Sequence, residues 1–552
     1  MNARSIFLGF NKLNFMMRYF FFIIFFCSSF SIYSQEIKIL GSNDNPVVNA
    51  SVVLKNDLNQ RFNLFTDNLG VFIIPDGIDV SKELIVSISH IGYKPYVDTF
   101  YFKNNYIIYL QEADILLEQI VVTAQIYPRM LDDAVHKINV INRSSIDLNA
   151  ATTLQNVLEK EVNMRVSNDN ILGGSFSMQG ISGENVKILI DGVPVIGRLN
   201  GNVDITQINL NNIDRIEIVE GPLSVNYGTD ALAGTVNLIS DQSHEQKMMV
   251  NTYYESVGKY NMDALYRFSF LDNVFSFSLG RNYFDGWSAN DEFNLFPKVT
   301  LADTNRVKTW NPKEQLFLRS QHSFDYKNIV FRSFADLFFE EIQNRGFPRS
   351  PYYESAFDDY YRTWRKNIGL DLSSSFNHLG SVKALFAYND YKRIKNTYLK
   401  DLTNLQELLT QNILDQDTSL FNSIMSRGSW TNKIENIDFE IGYDIHYDKA
   451  KGQRIESNVK SQGDYAFYTN IEWSPLNNLI IRPGFRIAYN TDYKAPITPS
   501  LHLKYNLDDW ILRASFAQGF RSPSLKELYF EFVDINDNIV GNTDLQAESS
   551  MN

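Results

Sequence analysis

From about residue 247 onward, apolar and polar residues alternate in segments of about ten residues. The clearest segment places Tyr465, Phe467, Thr469, Ile471 and Trp473 opposite Asp464, Ala466, Tyr468, Asn470 and Glu472. Strands of this length with one apolar and one polar face are typical of a transmembrane β-barrel. A soluble β-sandwich is the alternative, which the strand length, the many aromatic residues and the short turns on one side disfavour.

The composition leaves the same two classes open. The chain has 552 residues, and its 40 Phe, 30 Tyr and 6 Trp make up 14% of them, which argues against disorder. A net charge of -13 without a basic block argues against nucleic-acid binding. After the N-terminus no run of about 18 apolar residues occurs, so no transmembrane helix is predicted.

The N-terminus has the pattern of a secretory signal peptide over residues 1–34. Basic residues precede the apolar run Tyr19–Phe30, which is too short to cross a membrane as a helix. Cleavage is expected after Ser34, and a membrane anchor is the alternative. The only cysteine, Cys27, lies in the apolar run, so the mature chain is expected to lack disulfides and cysteine metal sites.

Residues 36–112 have the pattern of a small β-domain. Strand-like runs lie at Glu36–Leu40, Ala50–Lys55, Gly70–Ile74, Leu84–His90 and Tyr106–Leu110. Short strands at this spacing predict a β-sandwich. The sequences Pro46–Ala50, Thr66–Asp67 and Ile88–Tyr93 resemble the transthyretin-like, carboxypeptidase-regulatory-type domain. Despite that name no peptidase chemistry is predicted, and His90 is expected to be structural.

Residues 113–124 form a linker that ends in Gln119, Ile120, Val121, Val122, Thr123 and Ala124. A run of strand-forming residues outside an obvious domain is a candidate for pairing with the sheet edge of a partner. These residues alone leave a second interpretation open, the last strand of the preceding domain.

Residues 125–240 form a mixed α/β segment. A helical pattern at Thr152–Leu158, a buried strand at Val186–Ile190 and an alternating strand at Ile213–Val219 are predicted. Four sequence blocks follow one another here: Val186–Val195, Ile213–Pro222, Ser224–Gly228 and Ala231–Ile239.

These blocks resemble the plug domain of TonB-dependent outer-membrane receptors. The resemblance assigns a plug motif to Asp191, Gly192, Arg215, Glu217, Glu220, Gly221, Pro222, Tyr227, Gly228 and Gly234. In that context residues 119–124 resemble the TonB box, and residues 245–552 are expected to form the barrel.

Glu220 departs from the family pattern, in which Arg commonly precedes the Gly-Pro pair and contacts barrel carboxylates. The pairing of charges between plug and barrel is therefore open for this chain. Arg215, Glu217 and Glu220 are expected either to form a local cluster or to be solvated strand charges.

The resemblance implies a mainly β fold with an N-terminal β-sandwich, an α/β plug domain and an antiparallel transmembrane β-barrel. Receptors of this family close with about 22 strands, whereas about 14 are counted between residues 247 and 518. The chain stops at Asn552, in what is expected to be a loop. Because an open barrel leaves unpaired edges in lipid, we expect a fragment of a longer, Bacteroidetes-type receptor or a truncated gene product.

No catalytic pattern is found, so an enzyme is not expected. G-x-S-x-G, H-E-x-x-H and P-loop motifs are absent, and the seven histidines have no metal-ligand spacing. Neither a cofactor nor a metal is predicted. Acidic residues between 527 and 544 could hold Ca²⁺, but a solvated loop is the favoured interpretation.

The tract 192–202 follows a plug strand, and in the family such loops face outward and help to bind the ligand. Arg198 and Asn200 in this tract, together with Arg521, are candidate ligand-binding residues, because Arg offers a fork-shaped donor to a carboxylate or phenolate. A structural loop is the alternative. The longer connections at 285–311, 344–359 and 396–417 would be extracellular.

The resemblance implies import of a scarce, bulky nutrient, such as a ferric siderophore or cobalamin, across the outer membrane. The plug and the N-terminal domain would face the periplasm, and TonB with its ExbB/ExbD motor would pull on the box. A receptor that binds or signals without import is the alternative. An outer-membrane hydrolase lacks a visible nucleophile–base pair, and glycan importers of the SusC type are much longer.

Overall fold

The computed structural model describes residues 36–552 with gaps at 42–44, 48–49, 56–60, 68, 75–77, 79–81, 91–92, 94–95, 101–105, 112–119, 200–201, 290, 292–305, 377–379, 477, 508–509 and 534–537. The predicted signal peptide, Gln119 and Asn200 lie outside the described residues. The chain divides into two compact units, Met1–Gln119 and Ile120–Asn552.

The described part of the first unit consists of short strands in two sheets. The strands are β1 (Glu36–Leu40), β2 (Ser51–Lys55), β3 (Arg61–Phe65), β4 (Val71–Ile73), β5 (Leu84–Ser89), β6 (Tyr96–Phe100) and β7 (Tyr106–Tyr109). The sheet orders are β4-β1-β7 and β3-β2-β5-β6. Alternate residues such as Ile37, Val52 and Val86 are fully buried in one apolar core.

Two of these strands, β3 and β6, were not predicted. Both lie at the edges of their sheet and have one neighbour each. An edge strand needs less apolar alternation than a central one, and β6 carries Asp98 near its middle. The other five strands lie where the alternation predicts them.

The second unit begins with the plug, which contains short strands and helices. The elements are β8 (Ile120–Val121), β9 (Arg129–Met130), β10 (Ile138–Asn142), α1 (Arg143–Leu148), α2 (Leu154–Leu158), β11 (Met164–Asp169), β12 (Gly173–Met178), β13 (Ile181–Ser182), β14 (Val186–Ile190), β15 (Val193–Pro194), β16 (Arg198–Leu199), β17 (Asn202–Val203), β18 (Ile213–Glu220), α3 (Ser224–Tyr227) and β19 (Gly234–Ser240). Single 3₁₀ turns lie at Gly183–Asn185 and Ile205–Gln207.

The plug is organised around a five-stranded sheet in the order β10-β18-β19-β14-β15. β14 and β19 are parallel, whereas β18 pairs antiparallel with both of its neighbours. α1 and α2 pack on the sheet, and Leu154, Ile205 and Ile216 are fully buried in the core between them. Thr153 begins α2 through a capping box with Asn156.

The remaining chain forms one large antiparallel sheet and a short excursion. The elements are β20 (Lys247–Glu255), β21 (Lys259–Phe270), β22 (Asn273–Phe284), β23 (Lys313–Tyr326), β24 (Ile329–Arg345), β25 (Ser355–Phe376), β26 (Gly380–Asp401), β27 (Glu407–Leu409), β28 (Asp417–Ile434), β29 (Ile437–Gly452), β30 (Val459–Leu476), β31 (Leu479–Asn490), β32 (Thr498–Leu507), β33 (Trp510–Arg521), α4 (Leu525–Tyr529), β34 (Glu531–Val533), β35 (Asn538–Val540) and β36 (Glu548–Met551). Single 3₁₀ turns lie at Ile413–Asp415 and Glu456–Asn458.

This sheet has 15 strands and is an incomplete barrel. Each strand from β20 to β33 pairs with the next along the chain, except that β27 pairs with β26 alone, and β36 pairs with β33. The predicted alternation of apolar and polar residues is present, but the polar residues are buried and the apolar residues are exposed, the reverse of a soluble protein. On β29 the polar Asp444 is fully buried towards the plug, whereas its apolar neighbours Tyr443 and Ile445 are exposed. Apolar residues outside and polar residues inside are typical of a barrel in lipid.

The connections between these strands differ in length on the two sides of the sheet. On one side they are short, as at 271–272, 327–328 and 435–436, and we call this the turn side. On the other side they are longer, as at 346–354 and 402–416, and we call this the loop side. No helix in the described ranges has the length and apolar character needed to span a membrane.

The end of the chain was expected to be a loop, which is wrong for residues 548–551. Glu548–Met551 pairs antiparallel with β33, with Gln518 opposite Met551 and Arg521 opposite Glu548. The pattern ESSM has no apolar alternation, and an ion pair between Arg521 and Glu548 helps to hold it at the sheet edge.

Candidate functional site

The segment that resembles the TonB box is folded into the plug. Ile120 and Val121 form β8, which pairs with β9. Val121 is fully buried in an apolar cluster with Ile138 and Val219. The first two described residues of the box are therefore strand-like, whereas Thr123 and Ala124 form a turn in which Ala124 has a positive φ of 57°.

The segment beside the box contacts the barrel near the turn side. Arg129 pairs with Glu472 at 2.6 Å, and Lys504 donates a hydrogen bond to the carbonyl oxygen of Asp132. Glu472 and Lys504 lie close to the turn-side ends of β30 and β32. The box therefore lies on the turn side of the plug.

One carboxylate holds the middle of the box. The backbone N–H groups of Val122 and Thr123 donate to the Glu217 carboxylate, at 3.1 Å and 2.7 Å to Oε2. Glu217 is fully buried in β18, and its Oε1 also accepts a hydrogen bond from Arg215 Nε at 2.9 Å. Hydrogen bonds to an ionised acceptor are among the stronger ones in proteins, so Glu217 is the principal polar anchor of the box.

Two further plug residues hold the end of the box. The N–H of Ala124 donates to the hydroxyl oxygen of Tyr227 at 3.1 Å, and Asn237 Nδ2 donates to Thr123 Oγ1 at 3.0 Å. Burial raises the pKa of Tyr227, so its hydroxyl remains protonated at neutral pH. The box is thus fastened by a few hydrogen bonds to side chains of the plug.

The charges of β18 are divided between two places. Arg215 pairs with Asp214 at 3.0 Å and with Glu217, whereas Glu220 accepts hydrogen bonds from Asn163 and Gln179. The proposed cluster of Arg215, Glu217 and Glu220 is therefore wrong for Glu220. Residues two apart share a strand face and residues three apart do not, so Glu220 points away from Glu217.

Charges pair between plug and barrel in both directions. Arg129 of the plug meets Glu472 of the barrel, whereas at the Asp191–Gly192 turn barrel arginines meet plug oxygens. Arg319 of β23 pairs with the carboxylate of Asp191. Arg427 of β28 donates to the carbonyl oxygen of Gly192 at 3.4 Å. At this turn the cations come from the barrel. In the family pattern, an Arg of the plug contacts carboxylates of the barrel instead.

The other plug-motif residues lie at strand junctions. Gly221 and Pro222 follow β18, and Gly234 begins β19. The N–H of Gly221 donates to the carbonyl oxygen of Ala233 at 2.9 Å. This bond joins the two strands and positions the start of α3.

A cavity of about 850 Å³, the loop-side cavity, lies between plug and barrel towards the long connections. The plug contributes residues 194–197 and 227–230, strands β28–β31 form one wall, and the segment after β33 forms another. The lining carries charges of both signs and aromatic rings: Lys187, Asp230, Lys449, Arg454, Asp464, Phe421, Tyr493 and Phe530. Its volume and mixed lining suit a bulky ligand with polar groups.

Arg521 borders this cavity, but carboxylates already occupy its guanidinium group. Arg521 pairs with Glu527 at 3.0 Å and with Glu548 at 2.7 Å. Glu527 closes a capping box with Ser524 at the start of α4. These contacts tie α4 and β36 to the end of β33, while the predicted ligand contact of Arg521 stays a prediction.

The tract 192–202 is held against the barrel wall. Arg365 of β25 donates to the carbonyl oxygen of Ile196 and lies over the Tyr391 ring. Gly197 has a positive φ of 84° and lies so close to Tyr391 that a Cβ would come within 2.4 Å of the ring, so only glycine fits.

The two ligand candidates in this tract are only partly described. The backbone of Arg198 pairs with Val203 in the β16–β17 ribbon. The side chain of Arg198 and the whole of Asn200 lie outside the described residues, so their ligand role stays a prediction.

Lys187 is a functional candidate that sequence reasoning missed. It lies in β14 and borders the loop-side cavity, and its Nζ donates to the carbonyl oxygens of Tyr227 and Thr229 at 2.8 Å and 3.1 Å. Burial lowers the pKa of Lys187 to about 8. The only available signal was a lysine inside the otherwise apolar run VKILI.

A second cavity of about 590 Å³, the turn-side cavity, lies on the other side of the plug. The box borders it through Val122 and Ala124, and the barrel contributes Arg332, Lys383 and Arg427. The plug therefore has one cavity towards the loops and another beside the box.

Two protein-family models match the chain in the predicted order. The TonB-dependent Receptor Plug Domain matches residues 131–235, and the TonB dependent receptor-like, beta-barrel model matches residues 309–552. The chain belongs to the TonB-dependent receptor family. The predicted family and the mainly β fold are therefore confirmed. Members are outer-membrane receptors and transporters rather than enzymes, so the predicted localisation and the absence of an enzyme assignment follow from the family.

Curated relatives of this receptor are distant. An iron-regulated outer membrane virulence protein of Vibrio cholerae is 24% identical over 466 residues, which cover 80% of this chain. The vitamin B12 transporter BtuB of Vibrio cholerae is 22% identical over 446 residues, which cover 78% of this chain. In both cases the match spans 66% of the length of the relative.

Solved structures share the fold at low sequence identity. A point mutant of the ferric enterobactin receptor PfeA of Pseudomonas aeruginosa, in complex with enterobactin, matches with a TM-score of 0.58 at 14% identity, over 75% of this chain and 68% of that one. The siderophore receptor PirA of Acinetobacter baumannii matches with a TM-score of 0.57 at 14% identity, over 75% of this chain and 67% of that one.

Proposed function

We propose that this receptor imports a bulky, scarce nutrient, such as a ferric siderophore or cobalamin, across the outer membrane by a TonB-dependent mechanism. The observation that carries the proposal is that one plug separates a loop-side cavity from the box on its turn side, where Ile120 and Val121 pair as a strand. Such an arrangement can bind cargo on one side and receive mechanical work on the other.

The partner at the box would be TonB, driven by the ExbB/ExbD motor of the inner membrane. An extended segment can add as a strand to the sheet edge of a partner, and main-chain hydrogen bonds then supply the affinity. The N–H groups of Val122, Thr123 and Ala124 are now used by Glu217 and Tyr227. Capture by TonB would exchange these side-chain acceptors for backbone carbonyl oxygens.

The cargo class is supported by the relatives and by the size of the cavity. Proteins of similar sequence are described as iron-regulated or as a vitamin B12 transporter, and proteins of similar fold as siderophore receptors. A cavity of about 850 Å³ lies in the upper part of the range for small-molecule sites.

The test is uptake of labelled ferric siderophores and of labelled cobalamin by cells that express the receptor, with its natural relatives deleted. Val121→Pro removes one N–H and disfavours strand pairing, so uptake should fall to the level of a TonB-deficient strain while surface binding is retained. Val121→Ile keeps the N–H and the strand preference and is the matched control. Unchanged uptake in Val121→Pro would contradict the proposal, and binding without uptake in the unaltered receptor would favour a signalling role.

A further inference from the structure

The two cavities lie one above the other along the same barrel strands. On β28, Phe421 and Ser423 border the loop-side cavity, and Arg427 and Ser429 border the turn-side cavity. The same change occurs along β29 and β30, where the residues nearer the loop side border the first cavity and those nearer the turn side the second. A single stretch of barrel wall therefore runs past both.

Five residues separate the two cavities, and we call them the septum: Tyr227, Gly228, Arg427, Asp444 and Arg486. Tyr227 borders both cavities, Gly228 and Arg486 border only the loop-side cavity, and Arg427 borders only the turn-side cavity. Asp444 is fully buried between the two arginines. The plug closes the septum from one side and the barrel from the other.

Asp444 organises the barrel half of the septum. Its carboxylate accepts hydrogen bonds from Arg427 Nε and Nη2 at 3.1 Å and 3.2 Å, and from Arg486 Nη2 at 3.0 Å. Its Oδ1 also lies 3.0 Å from His446 Nε2. The Asp444 carboxylate thus fixes the guanidinium groups of Arg427 and Arg486, the two arginines of the septum.

The plug half fits directly onto these two cations. The guanidinium carbon of Arg427 lies 5.2 Å from the centroid of the Tyr227 ring, a cation–π contact. Gly228 lies against Arg486, and a Cβ at that position would stand 2.8 Å from Nη2. Next to these contacts, Val193 of the plug lies in an apolar cluster with Met425 of β28.

The closed septum leaves polar groups unsatisfied. The Nε and Nη1 atoms of Arg486 are buried and have no hydrogen-bond partner among the described residues. Buried donors without partners raise the free energy of the state that contains them. An opened septum, in which water reaches Arg486, would remove that cost.

The septum is also in direct contact with the box. The hydroxyl of Tyr227 accepts the N–H of Ala124, while the Tyr227 ring packs beneath Arg427. A displacement of the box towards TonB therefore acts first on the residue that closes the septum.

We propose that the septum is the gate of the cargo route, and that Tyr227 couples the box to this gate. The inference rests on the proposed import function and adds to it the path and the residue that opens it. The route runs from the loop-side cavity along β28–β30 into the turn-side cavity.

The wall formed by β24 and β25 is a poorer route. Gln207 of the plug donates to Glu340 of β24 at 2.6 Å and accepts from Arg365 of β25 at 2.8 Å. These three residues border neither cavity. Here plug and barrel are in direct polar contact.

The gate can be tested by labelling a cysteine placed below it. Cys27 is the only natural cysteine, so Ser429→Cys in a Cys27→Ser background gives one reactive site on the turn side of the septum. The receptor is kept in the outer membrane of intact cells, and a membrane-impermeant maleimide is added outside. Tyr227→Ala removes the ring, and Asp444→Asn neutralises the carboxylate that fixes both arginines. Glu340→Gln is the matched control, because it weakens a plug–barrel contact away from the septum.

The septum variants should be labelled at position 429 about tenfold faster than the unaltered receptor, as expected for the loss of a cation–π contact in Tyr227→Ala and of a charge-assisted hydrogen bond in Asp444→Asn. Glu340→Gln should not be labelled faster. Equal rates in the septum variants and the control would overturn the gate, as would fast labelling of the unaltered receptor. A cysteine in place of the exposed Leu408 on β27 reports correct folding.

Coupling is tested from the barrel side in isolated outer membranes. Asp444 does not itself hold the box. Because coupling between two sites is reciprocal, a change in the septum should affect the box just as a change in the box affects the septum. Asp444→Asn should therefore raise the labelling rate of a cysteine at position 122, and Glu340→Gln should leave it unchanged. An unchanged rate at position 122 in Asp444→Asn would overturn the coupling. Neither experiment uses cargo or TonB, so failure of the import proposal would be seen separately.

Discussion

The core of the plug and its boundary with the barrel are built from different interactions. The core is apolar, and Leu154, Ile205 and Ile216 are completely buried in it. The boundary is mainly polar, with barrel cations such as Arg365 and Lys504 donating to backbone carbonyl oxygens of the plug, and it includes one small apolar cluster around Val193. The interior of the plug and its contact with the barrel are therefore stabilised by different kinds of interaction.

This difference shows how the plug can move without unfolding. Separating apolar surfaces exposes area to water and costs free energy in proportion. Hydrogen bonds at a polar boundary can be exchanged for bonds to water with a small net change. In the proposed import mechanism, the core would keep the plug folded while the hydrogen bonds of the boundary are exchanged.

The largest effect is expected in the core. Leu154→Ala should cost the plug about 2–5 kcal/mol, because it removes a fully buried side chain and leaves a cavity. Leu148→Ala on α1 is the control, since Leu148 is 88% exposed and should cost no more than about 0.5 kcal/mol. Urea unfolding of the plug, followed by hydrogen exchange, measures both. Similar costs in the two variants would contradict an apolar core.

A smaller effect is expected at the boundary. Arg365→Gln should weaken docking of the 192–202 tract by about 1–3 kcal/mol through loss of its charge-assisted bonds. Hydrogen exchange should accelerate at Ile196 and Gly197 and stay unchanged in β18. Arg281→Gln, half-exposed and away from the plug, is the control. Faster hydrogen exchange throughout β18 in Arg365→Gln would mean that loosening the boundary also destabilises the core.

A still smaller effect is expected where the box meets the plug. Tyr227→Phe removes the acceptor of the Ala124 N–H and should cost about 1 kcal/mol, which is about fivefold in the exchange rate of that amide. The ring and its contact with Arg427 remain. Tyr266→Phe on the exposed face of β21 should leave the box unchanged. Equal protection of the Ala124 amide from hydrogen exchange in both variants would show that Tyr227 does not hold the box.

The last effect concerns pH. Burial, together with the nearby His502, Arg482, Arg129 and Arg513, lowers the pKa of His136 well below 6.5. Between that low pKa and 6.5 the unfolded segment binds more protons than the folded one, so stability falls as the pH decreases below about 6.5. Exchange of residues 129–138, corrected for intrinsic rates, should accelerate from pH 7 to pH 5. His136→Gln should reduce this dependence, and an unchanged dependence would contradict the assignment.

Local patterns predicted the alternating barrel strands and the plug helix α2 because their causes are local, whereas α1 (Arg143–Leu148) was not predicted. The alternation around Tyr465 and Phe467 indicates which face of a strand meets lipid, and the capping residues of α2, Thr153 and Asn156, are only three positions apart. Edge strands such as β6 and β36 were missed, because one neighbour constrains their sequence less.

Contacts over long separations could not be predicted. Glu217 was assigned to the plug motif by resemblance, but its bonds to Val122 and Thr123 join residues about a hundred positions apart. Arg427, Asp444 and Arg486 are ordinary polar positions of alternating strands when seen in sequence alone. Only the barrel register brings them together beside Tyr227.

The most direct test of the account is the affinity of the receptor for the periplasmic domain of TonB. In Glu217→Gln the buried acceptor keeps its shape and loses its charge, so the box should be released more readily. We expect Glu217→Gln to bind TonB about tenfold more tightly, which corresponds to about 1.4 kcal/mol, and Val121→Pro to lose binding. Equal affinity of the unaltered receptor and both variants would contradict the claim that residues 120–124 are the TonB box and that Glu217 holds them.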